Sequence, residues 1–234
     1  LFFFLAVSSL ISYGLYAVIV EAPTCFDNKM NGDETGVDCG GSCFKICLDT
    51  ISEISVVSNT LISIKDSDYD YVARVRNPNT THGSGNVEYD VNFLNSSGGI
   101  IDTISGEFNI LPGQTRYILI SPVKLDSPAV SAQMVIKNAN WIQVTDFSSE
   151  MLRFIDRRKE FIKVDNVDTV FGTVDGVMFN DSDFDFDFVE IAVVLFGSDD
   201  KILAAGSTTV RTFRSKTESF YQANWFEPFE GEVA

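Results

Sequence analysis

The stretch Val87-Glu-Tyr-Asp-Val-Asn-Phe93 places an apolar side chain at every second position, the period of a β-strand and not of a helix. At an offset of 102 residues the chain reads Val189-Glu-Ile-Ala-Val-Val-Leu195. The correspondence continues through the next turn, where Asn95-Ser-Ser-Gly-Gly-Ile-Ile101 lies over Gly197-Ser-Asp-Asp-Lys-Ile-Leu203. It continues again where Leu111-Pro-Gly-Gln-Thr115 lies over Phe213-Arg-Ser-Lys-Thr217, and one residue of slippage brings Arg76-Asn77-Pro78 onto Phe179-Asn180-Asp181. A repeat of about 100 residues, filled with short strands and polar turns, is the size of one immunoglobulin-like sandwich and too long for a solenoid unit. Each alternating strand needs a second sheet opposite to cover its apolar face. The expected fold class is therefore all-β, with two tandem immunoglobulin-like β-sandwiches at residues 51–146 and 161–234 and a linker at 147–160. By the repeat, the last strand of the first copy, Val130 to Val144, recurs at about residue 232 onward. Its counterpart is thus expected to be missing, as in a fragment of a longer protein or a fold completed by a neighbour's strand.

The chain has 234 residues, 45% hydrophobic and 21% charged, which is apolar enough to fold and excludes intrinsic disorder. Lys and Arg number 17 against 33 Asp and Glu, a formal net charge of -16. Such a field repels phosphate backbones, so no nucleic-acid partner is expected.

Residues 1–20, LFFFLAVSSLISYGLYAVIV, carry no charge and suit a transmembrane helix, because about 20 helical residues span a bilayer core. Pro23 after Ala22 makes a poor cleavage context, which favours a retained anchor over a signal peptide. The acidic residues just beyond it, with all four cysteines between Cys25 and Cys47, favour an extracellular location for residues 21–234. The expected partners are accordingly the membrane bilayer, through residues 1–20, and a surface protein or a second copy of the chain.

The module at residues 21–50 has little apolar content, so Cys25, Cys39, Cys43 and Cys47 are expected to hold it as two disulfides, with three pairings open. Spacings of 13, 3 and 3 residues do not match paired zinc knuckles. Asp27, Asn31, Asp33, Glu34 and Asp38, set among glycines, supply hard oxygen atoms and form a candidate Ca2+ site. The competing reading is a polar loop whose Asx side chains make turns.

The pattern C-x-D-x3-N-x-D-E-x-G-x-D-C-G-G-x-C-x3-C resembles a short cysteine module that stands beside membrane anchors in extracellular bacterial proteins. Asn77, Val91 to Phe93, Gly98 and Leu111 to Thr115 resemble the FxLYD family of immunoglobulin-like domains, related in shape to water-stress β-sandwiches. The second copy departs from that pattern where Arg214-Ser215 replaces Pro-Gly. The whole arrangement resembles single-pass envelope proteins of bacteria. The resemblance implies surface display and interaction, without an enzymatic activity or a defined ligand.

Catalytic residues are not expected. His82 is the lone histidine, in a Gly- and Thr-rich stretch that reads as a loop, and no nucleophile elbow or phosphate-binding loop occurs. In Asp181-Ser-Asp-Phe-Asp-Phe-Asp-Phe188, alternation puts Phe184, Phe186 and Phe188 on one face, expected in the core. Asp183, Asp185 and Asp187 on the other face form a candidate binding stripe for a cation or a basic partner. Arg153, Arg157, Arg158 and Lys159 are expected in the linker. Asn79, Asn95 and Asn180 each begin a glycosylation sequon. The expected function is a membrane-anchored surface protein whose sandwiches mediate interaction or adhesion. A stalk, filament or envelope-complex subunit is the alternative, and a hydrolase with an unrecognised carboxylate site is a third.

Overall fold

A computed structural model describes residues 24–45, 47, 51–144, 149–164 and 170–234. The expected membrane segment at residues 1–20 lies outside them, and among the described residues no helix is long and apolar enough to cross a membrane. Contacts divide the chain into two compact units, Leu1–Ile51 and Ser52–Ala234.

The second unit is all-β, as its alternating pattern dictates, with eleven strands among the described residues. Six lie in its first half: β1 (Ser55–Lys65), β2 (Asp68–Arg76), β3 (His82–Leu94), β4 (Ile100–Ile110), β5 (Thr115–Lys124) and β6 (Ser131–Gln143). They form two antiparallel sheets, ordered β1-β2-β5 and β4-β3-β6. Along β2, Tyr69, Tyr71, Ala73 and Val75 point to the core, and along β3, Val87, Tyr89, Val91 and Phe93 meet them from the other sheet. Tyr71 and Phe93, both fully buried, touch edge to face with centroids 6.3 Å apart, a favoured aromatic geometry.

The second half holds β7 (Phe154–Lys163), β8 (Gly172–Asn180), β9 (Phe186–Phe196), β10 (Ile202–Phe213) and β11 (Glu218–Trp225). Its sheets are ordered β11-β8-β7 and β10-β9, around a second core that includes Val174, Leu195, Val210, Phe213, Tyr221 and Trp225. Strand for strand, β7, β8 and β11 stand where β1, β2 and β5 stand in the first half, and β9 and β10 correspond to β3 and β4.

One buried side chain in each half explains why the repeat is visible in sequence. Asn77 follows β2 and is fully buried; its Nδ2 donates to the carbonyls of His82 and Leu111 at 2.7 and 2.9 Å, and its Oδ1 accepts from the Asn79 amide. Asn180 ends β8, is equally buried, and donates to the carbonyls of Phe184 and Phe213 while accepting from the Ser182 amide. The Asn77 backbone amide bonds Gln114, and that of Asn180 bonds Thr217. Each side chain thus satisfies backbone groups of two crossing loops, which an apolar residue cannot do.

Three local expectations change. Residues 154–160, read as linker, belong to β7, preceded by a 3-10 turn at Ser149–Leu152. Phe154 and Phe161 anchor that strand on the second core, and its charges are accommodated because β7 is a sheet edge open to water. His82 opens β3 instead of sitting in a loop, with its Nδ1 3.0 Å from the Thr81 hydroxyl. The Phe184-Phe186-Phe188 face is not uniformly buried: Phe186 packs on the core, but Phe184 is 47% and Phe188 68% exposed. The inward set along β9 is Val189, Ile191, Val193 and Leu195, so Phe188 falls on the opposite parity with Glu190 and Ala192.

Candidate functional site

The cysteine unit is built from side-chain bonds because it has no core of its own. Cys25 pairs with Cys43 and Cys39 with Cys47, one choice from the three open pairings. The expected calcium ligands bond chiefly to the loop itself. Asp38 accepts from the amides of Asp27 and Asn28 at 2.9 and 3.0 Å. Asp27 accepts from Asn31 Nδ2 and the Lys29 amide, both at 2.9 Å. Glu34 takes the Asn31 amide, and Asp33 takes the amide and hydroxyl of Ser42. These are Asx-type turns, which hold a loop in shape by lending it side-chain acceptors. The bonds from Asn31 and from Ser42 hold the Asp27 and Asp33 carboxyls, respectively, below the usual carboxylate range. Among the described residues, no three of these carboxylates bring oxygens within 4.8 Å of one another.

The acidic stripe is likewise split by its partners. Asp183 faces Lys216 at 3.1 Å, Asp185 accepts from the Ser215 amide at 2.7 Å, and Asp187 stays exposed on β9. Asp183 and Asp185 lie in the turn that Asn180 and Ser182 organise, so the strict alternation does not become strand until Phe186. Asp181, in the same turn, binds Arg153 and Lys216; the Arg153 bond chiefly holds its carboxyl below the usual range. Arg157 lies 4.8 Å over the Phe179 ring and 3.6 Å from Glu218, and Lys159 lies 3.8 Å from Asp156, so these cations have partners in the same half of the unit. The sequon at Asn180 is closed by burial.

Two further features are a strand edge that the repeat anticipated and a carboxylate that the sequence did not single out. The first is the outer edge of β9, where the repeat places a last strand from about residue 232 onward. In the first half, β3 carries β4 on one side and β6 on the other; among the described residues, β9 carries β10 on one side. On its other side the described residues contribute one antiparallel bridge, Gly197 with Val233, and the Ala234 amide donates to Phe196 at 2.9 Å. This bond repeats the one from the Val130 amide to Leu94 that leads into β6. Phe188, on the same strand, is exposed. The second feature is Asp70, the polar partner in an alternating strand, which is only 8% exposed and has an Oδ1 without a hydrogen-bond partner.

No protein-family model matches this chain, and no curated protein matches it. The functional reading therefore rests on the residues and their geometry.

Proposed function

We propose that this chain is a membrane-anchored extracellular protein that presents two tandem immunoglobulin-like sandwiches for protein interaction, its mechanism being positioning and not bond chemistry. The observation that carries the interaction reading is a pair of exposed aromatic side chains in the second half, Phe184 in the turn before β9 and Phe188 on it. Large apolar side chains left in water gain free energy when a partner covers them. The partner surface that fits is an apolar patch of another protein. Two disulfides in so small a unit support an oxidising compartment, and the uncharged run at residues 1–20 supports the anchor.

The test is a photo-crosslinking residue at position 188 or 190 of the full-length protein on intact cells, followed by mass spectrometry of the linked peptides. One recurrent foreign partner, lost when Phe184 and Phe188 are both replaced by serine, supports the reading. Links only between copies of this chain overturn it in favour of a stalk or filament subunit. Calcium in the cysteine unit is a separate proposal that rests on the buried Asn31 Oδ1, which has no hydrogen-bond partner. A calorimetric titration of the whole chain that shows no heat with millimolar-range Ca2+ removes it.

A further inference from the structure

Asp70 stands at an irregular point of its sheet. Ile62 is its neighbour on β1, and on the other side the β2–β5 register breaks between Tyr69 and Tyr71, where Ser121 and Pro122 of β5 bulge opposite it. Since Tyr69 and Tyr71 face the first core, Asp70 projects from the opposite face of the β1-β2-β5 sheet. At Asp70 that face is largely covered. A cavity of about 360 Å³ lies against it, roofed by β10 and the segment that follows β11. Its apolar lining includes Ile64, Leu119, Leu203, Trp225, Phe226 and Phe229, and Asp70 is a lining carboxylate 8% exposed. The Ser121 hydroxyl hydrogen-bonds the carboxyl group, but Oδ1 has no partner. Among the described residues, no lysine or arginine lines this cavity. Glu227, exposed, is its other carboxylate.

A buried carboxylate without a counter-charge is costly, and native proteins leave few such groups unpaired. The volume is within the range of small-molecule sites, and an apolar wall with one buried polar group is their usual chemistry. Aromatic side chains at the wall add attraction for a cation through their ring faces. We infer that this cavity is a binding site for a small organic cation, a protonated primary amine on an aromatic or branched aliphatic body, with Asp70 as its counter-ion. The ammonium group donates to the Asp70 carboxylate, the apolar body fills the space between the β1-β2-β5 sheet and β10, and Glu227 adds negative potential outside.

Benzylamine, titrated into the full chain and followed by amide resonances in two-dimensional NMR, tests the assignment, with benzyl alcohol as the uncharged comparison. The expected result is saturable shifts at residues 62–64, 70, 119–121 and 203–207, absent with benzyl alcohol. Asp70→Asn keeps the shape and removes the charge, so it should weaken benzylamine about tenfold or more, the scale of one charge-assisted hydrogen bond. Glu227→Gln should weaken it far less. Resonances unmoved by benzylamine overturn the inference. So do equal binding by Asp70→Asn, equal shifts with benzyl alcohol, or a loss confined to Glu227→Gln, which is the mark of exposed-charge attraction alone. A spectrum of Asp70→Asn unchanged outside the cavity shows that the variant is folded.

Discussion

Asn77 and Asn180 each tie a strand end to two loops with bonds hidden from water. Replacing either with alanine leaves buried carbonyls and an amide without partners, and should cost about 3 kcal/mol, measured by urea denaturation at constant m-value. A half-buried asparagine such as Asn95, whose bonds within its turn lie at the surface, should cost far less, because water replaces what the side chain gave. Asp70 has the opposite character. Burial raises its carboxyl above the ordinary 3.8, with the Ser121 bond opposing. A folded-state value above the unfolded one means that its favourable contribution is complete below the unfolded value and is lost as pH rises through the folded value. Asp70→Asn should therefore gain stability relative to wild type as pH is raised from about 4 to 7, read as diverging melting temperatures.

Within the elements, two cross-strand pairs set a tyrosine on a glycine: Tyr89 with Gly106, and Tyr221 with Gly176. A Cβ added at Gly176 falls 2.1 Å from the Tyr221 ring, and one at Gly106 falls 2.5 Å from the Tyr89 hydroxyl, so the ring must leave its place. Gly176→Ala should destabilise by about 2 kcal/mol, the scale of overpacking, with a loss of near-ultraviolet circular dichroism from the displaced tyrosine. The Tyr221 hydroxyl lies 3.3 Å from Asp156 Oδ1, and burial, followed by that charge, pushes it up to about 12. Gly176→Ala should also lower that value toward 10, seen by absorbance titration, if the ring swings out to water.

At the scale of the molecule, both disulfides lie inside the Leu1–Ile51 unit and none in Ser52–Ala234, whose two cores are apolar. Reduction should therefore abolish protection of backbone amides at residues 25–47 while leaving the main thermal transition in place, measured by hydrogen exchange and calorimetry. One transition displaced by reduction would mean that the two units unfold together.

The all-β class was legible because the period of Val87 to Phe93 is local: alternate side chains of an extended strand point to opposite faces whatever else the chain does. The repeat was legible for the same reason, since Asn77 and Asn180 recur with the strands they end. Alternation could not say which parity of β9 turns inward, and Phe188 lies outside because Val189 to Leu195 present the larger apolar set to the opposing sheet. Nor could it distinguish Phe154 to Lys159 as linker from the same residues as an edge strand, because charge is tolerated in both. The cysteine pairing, the capture of Asp27, Asp33, Glu34 and Asp38 by backbone amides and the enclosure of Asp70 all depend on atoms distant in sequence. Burial and partnership are properties of the packed chain, and only the tertiary structure assigned them.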